Sequence, residues 1–184
     1  GVERGEKLAA MQEKTAHHWY KPSTEMDKKH VSMFMKERGT SLKRLLTKYK
    51  WVDHSFETGV GKYGYFTISG SETYYKLMKW SLIIFLVFLF SAIAVRGDTE
   101  GRLTALLVGA LALALIGASL HRSWTIDFQP QGRYLFPILP MIGVILAKNR
   151  RALENKMFNL LTVHLFLLSL YSFIFVALLA IPRG

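Results

Sequence analysis

The chain has 184 residues, 51% hydrophobic and 13% aromatic, with 24 Lys and Arg against 13 Asp and Glu, a formal charge of +11. A chain both half apolar and strongly basic points to a membrane rather than to an ordinary soluble surface. The absence of cysteine excludes a disulfide scaffold and any zinc or iron–sulfur site built on thiolates.

The two classes of residue are unevenly spread. Residues 1–79 hold 15 of the 24 basic and 9 of the 13 acidic residues, and the remaining 105 are mostly apolar runs. The polar N-terminus has no short apolar stretch of the signal-peptide kind, and a chain opening on Gly1 is expected to be part of a longer protein. Residues 1–54 lack a clear apolar period, which predicts a loop domain that depends on the rest of the protein. His17, His18 and His30, with Glu13, Glu25 and Asp27 nearby, lack metal-site spacing, so no metal is expected there.

Thr40 or Ser41 can cap a helix near 41–50, with Leu42, Leu45, Leu46 and Tyr49 on one face and Lys43, Arg44, Lys48 and Lys50 away from it. Such a helix either lies on the membrane surface or packs on other protein. Residues 51–75 read as a Gly- and aromatic-rich loop with one strand-like stretch, Tyr63 to Ile68. Gly59-Val60-Gly61-Lys62-Tyr63-Gly64 matches G-x-G-x-x-G, but no apolar strand precedes it and no acid follows at the required distance, so a nucleotide site is not expected.

Four apolar segments follow, at 80–95, 103–120, 134–147 and 157–182. The first is free of ionisable residues and bounded by Lys79 and Arg96; the second carries Ala110, Ala114 and Ala118 every four residues, a stripe on which another helix can pack closely. The third has only 14 residues and contains Pro137 and Pro140; it either spans with help from Arg133, Lys148, Arg150 and Arg151 or re-enters. The fourth is broken only by His164, which is expected to bond to a neighbouring helix. The fold class predicted is therefore all-α integral membrane, with about four transmembrane helices (80–184) preceded by a mixed polar region (1–79). Lys and Arg near the helix ends divide six to six between the two sides and do not orient the chain, although the density at Lys148 to Lys156 favours the cytoplasm for that loop.

The segment Ile126-Asp127-Phe128-Gln129-Pro130-Gln131-Gly132-Arg133-Tyr134 leads from a polar loop into the third apolar segment, gathering an acid, amides, a guanidinium and a phenol at the membrane surface. Arg133 has the planar fork that suits phosphate or carboxylate; alternatively it only anchors the helix end and pairs with Asp127. Gln131-Gly132-Arg133-Tyr134 followed by Pro137 resembles the C-terminal region of large polytopic bacterial membrane proteins related in architecture to the glycosyltransferase C superfamily. Ser55-Phe56, Tyr63-Gly64-Tyr65 and Tyr74-Tyr75 resemble that family's loop ahead of its first apolar segment, although Glu57-Thr58 stands where Trp-Gly is usual.

The resemblance, over about 55–182, implies a bacterial inner-membrane protein with residues 1–79 and the Q-G-R-Y loop outside, acting on a polyprenyl-phosphate-linked sugar without a cofactor. Arg133, Gln131, Tyr134, Gln129 and Asp127 are then the expected substrate contacts. No catalytic residue is assigned, because the superfamily's carboxylate belongs to a loop near the N-terminus of the whole protein. Expected partners are membrane lipid, a lipid-linked sugar, and the rest of the same chain or other membrane subunits; nucleic acid is not expected. The alternative is a non-enzymatic assembly or scaffold subunit using the alanine stripe and the basic loop as a lipid anchor.

Overall fold

A computed structural model describes residues 2–63 and 67–180. The polar part holds α1 (Val2–Thr15), α2 (Leu42–Thr47), α3 (Trp51–Val60) and a hairpin of two short strands, β1 (Lys62–Tyr63) and β2 (Ile68–Ser69). The apolar part holds α4 (Glu72–Arg96), α5 (Thr99–Thr125), α6 (Ile138–Lys148) and α7 (Lys156–Tyr171), the last continuing as a π-helix over Ser172–Leu178. Three helices, Glu72–Arg96, Thr99–Thr125 and Lys156–Leu178, are long and apolar enough to cross a membrane, the architecture of a multi-pass membrane protein.

Capping explains why these helices outrun the apolar stretches. Ser71 accepts from the Tyr74 N–H at 3.2 Å, Asp98 from Gly101 at 2.6 Å and Asn155 from Met157 at 2.8 Å, each satisfying a donor that a helix start leaves open. All three caps lie outside the apolar runs, so α4 begins eight residues before Trp80 and straddles the expected boundary at 79. Positions 181–182 of the last segment lie outside the described residues.

The third apolar segment is shorter as a helix than its composition suggested. After a 3-10 turn at Gly132–Leu135, α6 runs for 11 residues, about 16 Å at 1.5 Å per residue, against a hydrocarbon core of roughly 30 Å. Pro137 takes the capping position and Pro140 lies in the first turn, where a missing N–H leaves no hydrogen bond unmade. The ends of the segment nevertheless lie far apart. Gly132 packs on α3 beside the α5 exit, whereas the Asn149 side chain donates to the Gly101 carbonyl at 3.2 Å, at the α5 start.

Helices α4 and α7 run antiparallel. Phe85 and Phe158 have ring centres 5.4 Å apart, Tyr74 meets Tyr171, and between them Ser81 Oγ lies 3.0 Å from His164 Nε2. His164 thus has the interhelical partner expected of it. Phe85, Leu89 and Ile93 of α4 join Ala105 of α5, Ile145 of α6 and Phe158 of α7 in one buried cluster. Within a bilayer such contacts gain by close packing rather than by leaving water, since lipid tails are as apolar as leucine.

The polar part departs from the sequence reading in two places. Trp51 to Val60 is helical, not loop, and the two ends of the strand expected at Tyr63 to Ile68 pair with each other across an antiparallel hairpin, residues 64–66 between them lying outside the described residues. The 41–50 segment forms a six-residue helix capped by Ser41, whose Leu45 is fully buried beside Met35 and Trp51 and against Ile116, Leu120 and Trp124. Leu45, Leu46 and Tyr49 of its apolar face are therefore packed on protein, while Leu42 is exposed. Trp51 Nε1 donates to Ser123 Oγ at 2.9 Å and Trp124 Nε1 to the Thr40 carbonyl at 2.7 Å, which ties this layer to the last turns of α5.

Candidate functional site

The loop that leaves α5 is held from two sides. On one side residues 32–36 lie against 124–128: Phe34 N–H donates to Ile126, Lys36 N–H to Trp124, and Phe128 N–H to Ser32, each at 2.9 Å. Phe34 adopts φ +52 there, a left-handed backbone that a bulky residue takes up only under constraint. On the other side Gly132 meets α3. A Cβ at Gly132 would run into the Cα and N of Gly59 and sit 2.5 Å from the Ser55 carbonyl, so only glycine permits this approach. Thr58 completes the joint: its hydroxyl accepts from the Gly132 N–H at 2.8 Å and lies 3.2 Å from the Pro130 carbonyl. Gly59, which the sequence pattern left as a loop glycine, and Thr58 together form the seat of the Q-G-R-Y loop. Gly64 of the G-x-G-x-x-G pattern lies outside the described residues.

Between these supports opens a groove of about 760 Å³. Its apolar lining includes Leu115, Ala118 and Ile126, and its polar lining Lys29, Arg122, Asp127, Gln129 and Tyr134. The hydrogen bonds of the polar lining form a chain: Ser32 Oγ and Gln129 Nε2 both donate to Asp127 at 2.7 Å, and Tyr134 OH donates to Gln129 Oε1 at 2.8 Å. His30 Nδ1 lies 2.8 Å from Ser32 Oγ. Both Asp127 oxygens are thus engaged, and the carboxylate acts as an anchor for neighbouring side chains.

Three of the five residues expected at the site, Asp127, Gln129 and Tyr134, come together here. Arg133 does not line the groove; it is exposed, its guanidinium carbon 5.3 Å from the centre of the Tyr134 ring, a cation–π contact at the outer edge. It forms no ion pair with Asp127 among the described residues. Gln131 contributes backbone, its carbonyl accepting from Tyr134 N–H at 3.2 Å. Sequence reasoning missed Lys29, Ser32 and Arg122. Ser32 stands 95 positions from Asp127, and nothing local to either residue signals the pairing.

Beyond the polar lining, α1 is joined to the turn that follows it: Ser23 donates to Glu13 through its N–H at 3.0 Å and its hydroxyl at 2.6 Å, and these bonds hold the Glu13 carboxyl below its ordinary pKa. Ala9 and Gln12 of that helix also face the groove. No family model, curated protein or solved structure gives a significant match to the chain.

Proposed function

We propose that this chain is the C-terminal membrane part of a glycosyltransferase-like protein that works at the outer face of a bacterial inner membrane on a sugar carried by polyprenyl phosphate. The observation that carries the reading is the groove at the α5 exit, which sets the cations Lys29 and Arg122 beside the apolar Leu115, Ala118 and Ile126. A lipid phosphate presents the matching pattern. Arg122 and Lys29 take the donor phosphate and stabilise charge on it as the lipid leaves. Gln129 and Tyr134 orient phosphate or sugar hydroxyls, Asp127 fixes Gln129, and Arg133 holds the Tyr134 ring from outside. Residues 132–148 carry the chain from one end of α5 to the other, which supports a fourth crossing in which a 3-10 turn and α6 act together. No proton-abstracting carboxylate is assigned to these residues.

The test is binding of undecaprenyl phosphate to the purified chain, read by quenching of tryptophan fluorescence. Arg122→Gln should weaken it by tenfold or more, in line with about 1.5–3 kcal/mol for a hydrogen bond to a charged group, and the uncharged polyprenol should bind far less well. Equal binding of alcohol and phosphate, or an unchanged Arg122→Gln variant, overturns the assignment.

A second reading, a membrane scaffold, is favoured by one observation: Ala110, Ala114 and Ala118 are all exposed, and the intervening Gly117 faces open space. Replacing the three alanines with leucine should then abolish self-association in bilayers; association that persists removes the interface.

A further inference from the structure

At the end of the helices opposite the groove, the turn between α4 and α5 meets the turn between α6 and α7. Asn149, 4% exposed, joins them by donating to the carbonyls of Ile145 at 3.0 Å and Gly101 at 3.2 Å. Gly97 and Gly101 leave the space for it: a Cβ on Gly97 would lie 3.2 Å from Asn149 Oδ1, and one on Gly101 would collide with it. The joined turns enclose a depression of about 440 Å³ whose charged lining is Arg96, Lys148, Arg150, Arg151 and a single carboxylate, Asp98.

Two of these five charges are already engaged. Lys148 pairs with Glu100 at 2.6 Å, and Asp98 caps α5 through the Gly101 N–H. Arg96, Arg150 and Arg151 are exposed and have no acidic partner among the described residues. Arg96, Arg150 and Arg151 thus line one depression with Asp98 as its single carboxylate, leaving an excess of positive charge there, and their planar forks match phosphate oxygens. Within about a turn of this rim the helix sides become apolar and open: Val95 is 77% exposed, Leu103 54% and Val144 52%. An anion bound here would therefore stand directly above hydrocarbon.

We propose that this depression binds the phosphate of an anionic phospholipid in the leaflet opposite the groove, with the acyl chains lying along the sides of α4, α5 and α6. This stands independently of the polyprenyl-phosphate reading, because it uses different residues at the other end of the helices.

The full chain in neutral detergent, titrated with phosphatidylglycerol or phosphatidylcholine and read by native mass spectrometry, tests the site. Phosphatidylglycerol should be retained at least tenfold better, and a variant combining Arg96→Gln, Arg150→Gln and Arg151→Gln should lose that preference, each arginine near an anionic surface contributing roughly fivefold. Arg122→Gln should keep it, which separates this site from the groove. Equal retention of the two lipids by the unaltered chain overturns the proposal whether or not the triple variant folds, as does a folded triple variant that keeps the preference. Displacement of phosphatidylglycerol by millimolar inorganic phosphate would mark a site for a soluble anion and overturn it as well.

Discussion

Gly132 shows how much of the site rests on a missing side chain. Its Cα lies against Gly59, and the backbone contact lets Thr58 reach the Gly132 N–H, so a methyl group added at 132 must push the loop off α3 or bend the helix. Overpacking of this kind costs about 1–3 kcal/mol. Gly132→Ala should therefore lower the unfolding midpoint and weaken polyprenyl-phosphate binding together, while Gly109→Ala, where a Cβ meets nothing, should lower neither. A Gly132→Ala variant with unchanged stability and binding would show that the loop is not held by this contact. The family-like motif accordingly separates into parts with different duties: its glycine docks the loop, its tyrosine lines the groove and its arginine stacks on the tyrosine.

A polar contact joins α4 to α7 in addition to packing, and another ties β1 to the π-helix that continues α7. Ser81, 6% exposed, meets His164, and farther toward the polar end Tyr63 OH lies 3.0 Å from Ser172 Oγ, which is fully buried at the start of the π-helix. Interhelical hydrogen bonds in bilayers average about 0.6 kcal/mol with a maximum near 1.7. Ser81→Ala is expected to destabilise the helix pair by about that much in an unfolding titration from detergent micelles, and His164→Ala by somewhat more, since it also opens a void. The double variant should cost less than the two singles added together, because the shared bond can be lost only once; strict additivity would mean the bond contributes nothing. Tyr74 OH donates to the Val60 carbonyl at 2.7 Å and Tyr75 OH to that of Gly61 at 2.9 Å, so the same helix that spans also carries the polar cap.

Across the whole molecule the two ends are chemically distinct. One carries the groove and the folded polar layer, the other the arginine-rimmed depression, with the apolar lengths of α4, α5 and α7 between them. Because the chain contains no cysteine, single substitutions can be labelled without background. With α4, α5, the 132–148 segment and α7 all crossing, Val31→Cys and Pro130→Cys should react with an impermeant maleimide added to one side of the membrane, and Arg151→Cys and Glu154→Cys only from the other. Labelling of both pairs from the same side would show that 132–148 does not cross.

The all-helical membrane class and the positions of the three long spans were legible in the sequence, because uninterrupted apolar runs of that length have few other ways to satisfy their backbone. The sharpest candidate segment, 126–134, was legible too, since it concentrates polar and cationic groups where a helix leaves the membrane. Local composition could not reveal that Trp51 to Val60 is helical: Gly59 reads as a breaker until Gly132 is seen against it. Nor could it assign the cations of the groove, for Lys29 and Arg122 belong to different elements that meet only when residues 32–36 pair with 124–128. Apolar length is a property of neighbouring residues and is written along the chain. The groove and the arginine-rimmed depression depend on contacts between residues as far apart as 32 and 127 or 101 and 149, and only the folded arrangement of the helices brings those together.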